Sequence, residues 1–210
     1  MGEVKIGRMT LGSCATNCYF LYAAGTDTVI VIDPGDTGKL LFDKLSEKGF
    51  KVGAILLTHG HFDHIYGVAA LKKLSGAKVY AGEFEQELLE NEELNLSDYF
   101  GRPVRVEADV LLKDGEVLDL CGITLKVIHT PGHTGGSICF YIENEGFLID
   151  GDTLFYESVG RTDFPSGNSR VLINSIKEKL FTLPPETKVY PGHGEPTSIG
   201  HETENNPFVQ

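Results

Sequence analysis

Four apolar, strand-like runs in this chain each lead into a loop that carries histidine or aspartate, and this repeated placement limits how the chain can fold. Ala54 to Thr58 leads to His59, and Ile123 to His129 leads through Thr130-Pro131-Gly132 to His133. Gly146 to Asp150 leads to Asp152, and Lys188 to Tyr190 leads through Pro191-Gly192 to His193. Loops at the ends of strands on a rigid scaffold are where chemistry is usually placed. The fold must therefore bring these strand ends to one edge.

The first of these loops is the densest. Thr58-His59-Gly60-His61-Phe62-Asp63-His64 packs three histidines and one aspartate into six positions. Imidazole nitrogens and carboxylate oxygens are good ligands for zinc. In an extended loop His59 and His61, two apart, point to one side and can share an ion. Asp63 and His64 follow at the turn into a helix, where a second ion could sit. A structural histidine usually occurs alone, so a cluster of this density reads as a metal site. The chain has seven histidines. Five would be ligands, His129 is expected to play a structural or supporting part, and His201 is expected to be solvated.

Periodicity supplies the elements around these loops. Val4 to Leu11, Asn17 to Ala23 and Thr28 to Ile32 read as strands separated by turns rich in Gly and Asp. A helix over Lys39 to Glu47 is expected, capped by Asp36 or Thr37, with Leu40, Leu41, Leu45 and Phe42 as its apolar face. A second helix is expected from Ile65 to Leu74, with Ala69, Ala70, Leu71 and Leu74 inward. Glu83 to Asn91 reads as a helix, and the acids from Glu83 to Glu93 as a solvated face. Asn95 to Arg105 is a connector without a clear pattern. Val117 to Leu120 and Ser137 to Ile142 are further strands. Arg170 to Phe181 is a late helix, with Val171, Leu172, Ile176 and Leu180 at helical spacing. The order implies two sheets with helices outside them, in one domain over residues 1–210.

Composition narrows the function classes. A net charge of −12, with no cluster of Lys or Arg, disfavours a nucleic acid partner. No apolar run approaches the ~18 residues of a membrane helix, so no membrane partner is expected. Met1 to Lys5 shows neither an export pattern nor a myristoylation context, and the expected location is the cytoplasm. Cys14, Cys18, Cys121 and Cys139 form no C-x-x-C pair and are expected to be reduced, with Cys121 and Cys139 buried. No G-x-S-x-G nucleophile motif is present.

The set His59, His61, Asp63, His64, His133, Asp152 and His193 resembles the ligand set of the metallo-β-lactamase superfamily. Within it, His129-Thr-Pro-Gly-His-Thr-Gly-Gly-Ser137, Gly151-Asp-Thr-Leu-Phe155 and Gly160-Arg-Thr-Asp-Phe164 are similar to the glyoxalase II group, and most to its short single-domain hydrolases. The resemblance implies an α/β fold, an αβ/βα sandwich of two mixed β-sheets flanked by helices. It implies that His59, His61 and His133 hold one metal, that Asp63, His64 and His193 hold the other, and that Asp152 bridges them. Asp33, in the Asp-Pro-Gly turn, would support the ligands from behind. Two divalent ions are implied, zinc first, with iron or manganese as alternatives. Their shared hydroxide would attack a small-molecule acyl thioester, with Asp63 orienting the nucleophile.

Arg161 matches a basic position that contacts glutathione in that group. Two residues on, where tyrosine is usual, this chain has Asp163, an acid that would repel a glutathione carboxylate. The chain also stops near the end of the core, short of the helical region with which full-length glyoxalase II enzymes grip glutathione. An alternative remains open, because Gly-Arg-Thr-Asp-Phe also occurs in persulfide dioxygenases of the same superfamily. These hold one iron, which would sit on His59, His133 and Asp152. A class B β-lactamase is disfavoured, because Asp152 supplies a bridging carboxylate that those enzymes lack.

Overall fold

The computed structural model of the chain describes residues 2–210. Its N-terminal half is a meander that turns parallel. Strands β1 (Val4–Leu11), β2 (Thr16–Ala23) and β3 (Thr28–Ile32) pair antiparallel. Helix α1 (Gly38–Glu47) then crosses over to β4 (Lys51–Leu56), which lies parallel to β3. The short helix α2 (Phe62–Ile65) and α3 (Val68–Ser75) lead to β5 (Lys78–Gly82). Helix α4 (Gln86–Glu90) and a run of turns follow, and β6 (Val110–Leu112) completes a sheet ordered β1-β2-β3-β4-β5-β6.

The C-terminal half builds the second sheet. It contains β7 (Val117–Leu120), β8 (Ile123–His129), β9 (Ile138–Ile142) and β10 (Phe147–Gly151). A two-stranded hairpin, β11 (Leu154–Phe155) and β12 (Ser158–Val159), leads to α5 (Ser169–Ser175). The last strands are β13 (Lys188–Pro191), parallel to β10, and β14 (Thr197–Ser198), before α6 (Ile199–Asn205). The sheet order is β14-β13-β10-β9-β8-β7.

Strand periodicity explains how the layers stack. Side chains alternate across a strand, so a strand buried on both faces is apolar throughout. In β3, Val29 and Val31 pack with Leu41, Leu45, Val68 and Leu71 beneath α1 and α3. Ile30 and Ile32 point the other way, into a core shared with Leu125, Val127, Phe140 and Ile149 of the second sheet. A third core, with Leu172, Ile176, Leu180 and Ile199, covers the outer face of that sheet with α5 and α6. The result is the expected αβ/βα sandwich of two mixed sheets.

Several local expectations are corrected. Thr37 precedes α1 but makes no side-chain cap bond, because its backbone is left-handed (φ 47°). The Asp36 carboxylate instead accepts from Thr37 N and from Arg102. Leu40, Leu74 and Val171 are exposed, and so is Ala69. The expected helix from Ile65 to Leu74 is broken at Tyr66 and Gly67, so its buried face is Ile65, Val68 and Leu71. The late helix relaxes into a π-helical turn over Ile176–Leu180, which keeps Ile176 and Leu180 on the core while Val171 rotates out. Among the described residues all four cysteines are free thiols, with Cys18 and Cys139 buried and Cys121 only half buried. His201 is not simply solvated, since it sits 3.1 Å from Glu157 and stacks on Tyr156. No helix among the described residues is long and apolar enough to cross a membrane.

Candidate metal centre

The loops after β4, β8, β10 and β13 meet at one edge of the paired sheets, and they bring all seven expected ligands together. Three groups of donor atoms converge there: His59, His61 and His133; His59, His64 and Asp152; and Asp63, His64 and His193. The nitrogens of the first group face one another. His133 Nε2 lies 3.2 Å from His59 Nε2 and 2.9 Å from His61 Nδ1. Donors bonded tetrahedrally at ~2.0–2.1 Å to one zinc stand roughly 3.3 Å apart. In the second set His193 Nε2 is 3.2 Å from an Asp63 oxygen. Asp152 reaches both sets, with one oxygen 3.6 Å from His133 and 3.4 Å from His193, and the other 3.4 Å from His64.

The far side of each ring shows which nitrogen is free. His133 Nδ1 donates to Arg161 O at 2.7 Å, and His193 Nδ1 donates to Cys14 O at 3.1 Å. His64 Nδ1 lies 3.0 Å from Asp33 Oδ2. His59 Nδ1 lies 3.1 Å from Thr58 Oγ1, whose own hydrogen goes to Asp33 Oδ2 at 2.6 Å. Each of these bonds holds the proton on Nδ1 and leaves the Nε2 lone pair facing the cluster, the arrangement of a metal-ligating histidine. His61 is reversed, presenting Nδ1 to the cluster while its buried Nε2 has no partner. This chemistry fits a pair of divalent cations.

Asp33 lies behind His64 and Thr58. It is buried, sits in a left-handed conformation (φ 51°) and also accepts from Thr58 N at 2.8 Å. Asp63 is braced by Thr16, whose hydroxyl donates to it at 2.9 Å. Thr16, Thr58 and the Cys14 carbonyl were not singled out in the sequence. Their only signal there is adjacency to strand ends, which many residues share.

Electrostatics divide the two sets. Burial holds His59 well below its ordinary pKa, helped by the neighbouring imidazoles, and burial with His133 holds His61 down to about 3. Burial opposes charge on His64 as well, but Asp152, Asp63 and Asp33 outweigh it and raise its pKa well above the usual value. His193 is raised too, against burial, by its bond to Asp63 and by Asp152. Asp63 resists burial and is held at about 2 by His64 and His193. The surroundings of the first set thus disfavour positive charge, whereas the carboxylates of the second favour it.

Above the cluster lies a cavity of about 380 Å³ with a largely apolar wall that includes Phe62, Leu96, Phe100, Phe155, Val159 and Phe164. Arg161 lines it but is engaged. Its Nε and one terminal nitrogen each donate to Asp163 at 2.7 Å, and its guanidinium lies 3.8 Å above the Phe164 ring.

Comparison with known proteins agrees with this geometry. The metallo-beta-lactamase superfamily pattern matches residues 11–193. A Bacillus subtilis protein described as "Probable metallo-hydrolase YqgX" is 37% identical, over 98% of each chain. The hydroxyacylglutathione hydrolase GloC of Haemophilus influenzae is 34% identical over 92% of each chain. Among solved structures, the BLEG-1 B3 metallo-beta-lactamase has a TM-score of 0.92 at 39% identity, covering 98% of this chain and 99% of its own. A second, TTHA1623 in a di-iron-bound form, has a TM-score of 0.86 at 35% identity, covering 96% and 99%. The ligand-bearing loops, the paired sheets and a match spanning most of the sequence all lead to one assignment: the chain belongs to the metallo-beta-lactamase superfamily.

Proposed function

We propose that this chain is a dinuclear metal-dependent hydrolase acting on a small-molecule acyl thioester, with zinc as its first-choice metal. The observation that carries the proposal is the joining of two three-donor sets by Asp152 at the foot of an open cavity. His59, His61 and His133 would hold one ion, Asp63, His64 and His193 the other, with Asp152 shared. A pair of divalent ions supplies activated water and polarises a carbonyl at neutral pH.

The chain's own residues supply the rest. Asp63, steadied by Thr16, faces the cavity and is placed to orient the attacking water. The aromatic wall receives the apolar part of the substrate and sheds water from around the reacting carbonyl. GloC's described substrate class and the phrases shared with the glyoxalase II group support a thioester. The Arg161–Asp163 pair sets an acid beside the cation that would otherwise meet a glutathione carboxylate, so a thiol less anionic than glutathione suits the cavity better.

The test is metal-resolved activity. Zinc, manganese and iron forms are assayed against panels of thioesters, β-lactams and persulfides. Thioester turnover that follows occupancy at two ions per chain is expected. Fully loaded protein with no thioester turnover would overturn the proposal, and oxygen uptake with a persulfide by the iron form would replace it with dioxygenase chemistry. Turnover confined to β-lactams would place the chain with BLEG-1 in activity as well as in fold.

A further inference from the structure

Glu85 lies in the acidic run that reads from sequence as a solvated face, yet it is buried, with 1% of its surface exposed. It stands just ahead of α4 and makes no cap bond there. Its side chain turns inward and accepts three hydrogen bonds. Oε1 accepts from Gly60 N at 2.8 Å, and Oε2 accepts from Gly136 N at 2.9 Å and from Thr134 Oγ1 at 3.0 Å. These donors belong to two different loops from two different sheets. Gly60 lies between His59 and His61, Thr134 follows His133, and Gly136 ends the same turn.

The approach is too close for side chains at either glycine. A Cβ on Gly60 would lie 2.8 Å from Leu88 and 2.9 Å from Leu89, and one on Gly136 would run into Glu85 itself. Ser137 Oγ lies 2.6 Å from Thr134 Oγ1, so the threonine can donate to Glu85 while accepting from the serine. Three donors and no acceptor facing its oxygens suit the carboxylate form. Burial pushes the carboxyl up to about 7 while the same three bonds pull it down. The second ligand set makes no use of this clamp. Asp33, Thr16 and the Cys14 carbonyl hold that set instead.

We infer that Glu85 is a positioning residue for the first metal site: by clamping the His59–His61 loop to the His133 loop across the two sheets, it sets the spacing of that triad. The inference rests on the reading that the triads bind metal, but not on which substrate is hydrolysed. Glu85→Gln offers one acceptor oxygen where two are used. With its carbonyl toward Thr134 and Gly136, its amide faces the Gly60 N–H, donor against donor. The effect on metal binding should match that of removing other groups that orient ligands, about 10- to 100-fold in affinity.

The experiment titrates apo protein with zinc against a competing chromophoric chelator. Wild type should bind two ions. Glu85→Gln should lose affinity for one of them by about 10- to 100-fold and keep the other within about twofold. The retained ion should disappear on adding His193→Ala and survive on adding His61→Ala. Should Glu85→Gln not fold, Thr134→Val, which keeps two of the three bonds, should weaken the same site by about fivefold. Two unchanged zinc affinities in a folded Glu85→Gln protein, or equal weakening of both sites, would overturn the inference alone. Absence of zinc binding by wild type would overturn the metal reading beneath it.

Discussion

Replacing Asp33 with asparagine should both destabilise the chain and loosen its hold on metal, by amounts that follow from three hydrogen bonds. Asp33 accepts from Thr58 N at 2.8 Å, Thr58 Oγ1 at 2.6 Å and His64 Nδ1 at 3.0 Å, all out of contact with water. Asparagine in its better orientation keeps an oxygen for the threonine hydroxyl and the imidazole. Its amide nitrogen then meets the Thr58 N–H, leaving that donor unpaired at a cost of about 1–3 kcal/mol. The two surviving bonds lose their charge assistance, roughly 1 kcal/mol each. The sum is about 3–5 kcal/mol, which for a domain of this size lowers the melting temperature by roughly 6–20 °C. Metal affinity should fall about 10- to 100-fold, because Asp33 orients His64 directly and His59 through Thr58. Thermal unfolding of the apo protein measures the first effect, and competitive zinc titration the second. A melting temperature within about 2 °C of wild type, with zinc affinity unchanged, would refute the reasoning.

Acidification should strip the two sites in order. His64 and His193 have raised pKa values, so their protons compete with a cation as pH falls below those values, whereas His61 is held down to about 3 and competes only in stronger acid. Zinc retained after dialysis at stepwise lower pH should fall in two stages, the first of which vanishes in His193→Ala. Asp163→Ala should release Arg161 from its bidentate pair and lower KM for a glutathione thioester about threefold, leaving kcat within about twofold. An unchanged KM would show that Arg161 does not reach the thiol moiety. Phe100→Ala removes a ring stacked 4.2 Å from Phe62 in the cavity wall and should raise KM about tenfold for thioesters with large apolar groups. Small acyl substrates serve as the comparison and should be little affected.

The candidate cluster is legible because its chemistry is concentrated: no ordinary surface loop collects His59, His61, Asp63 and His64. The strands around them were legible because burial on both faces leaves runs such as Val29 to Ile32 apolar throughout. Where a pattern is short or one-sided the sequence says less. β6, β11, β12 and β14 have two or three residues each, too few to show a period. Leu40, Leu74 and Val171 are apolar but face solvent, a placement set by helix rotation rather than by residue type. Glu85 is the residue least legible from its neighbours. Among neighbouring glutamates nothing local marks the one that turns inward, because the donors awaiting it lie 25 and about 50 residues away. Arg161 is legible as a cation, but its bidentate pairing with Asp163 is not, since side chains two residues apart meet only where the backbone turns them together.

Each triad draws on both halves of the chain: His59 and His61 meet His133 across the sheets, and Asp63 and His64 meet His193. A cation seated in either triad therefore clasps the first sheet to the second, and pulling the halves apart requires giving up the ion. Free metal at a hundredfold excess over its dissociation constant adds about 2.7 kcal/mol of resistance to unfolding per site. Resistance to heat and catalytic readiness should consequently rise and fall together with the supply of metal.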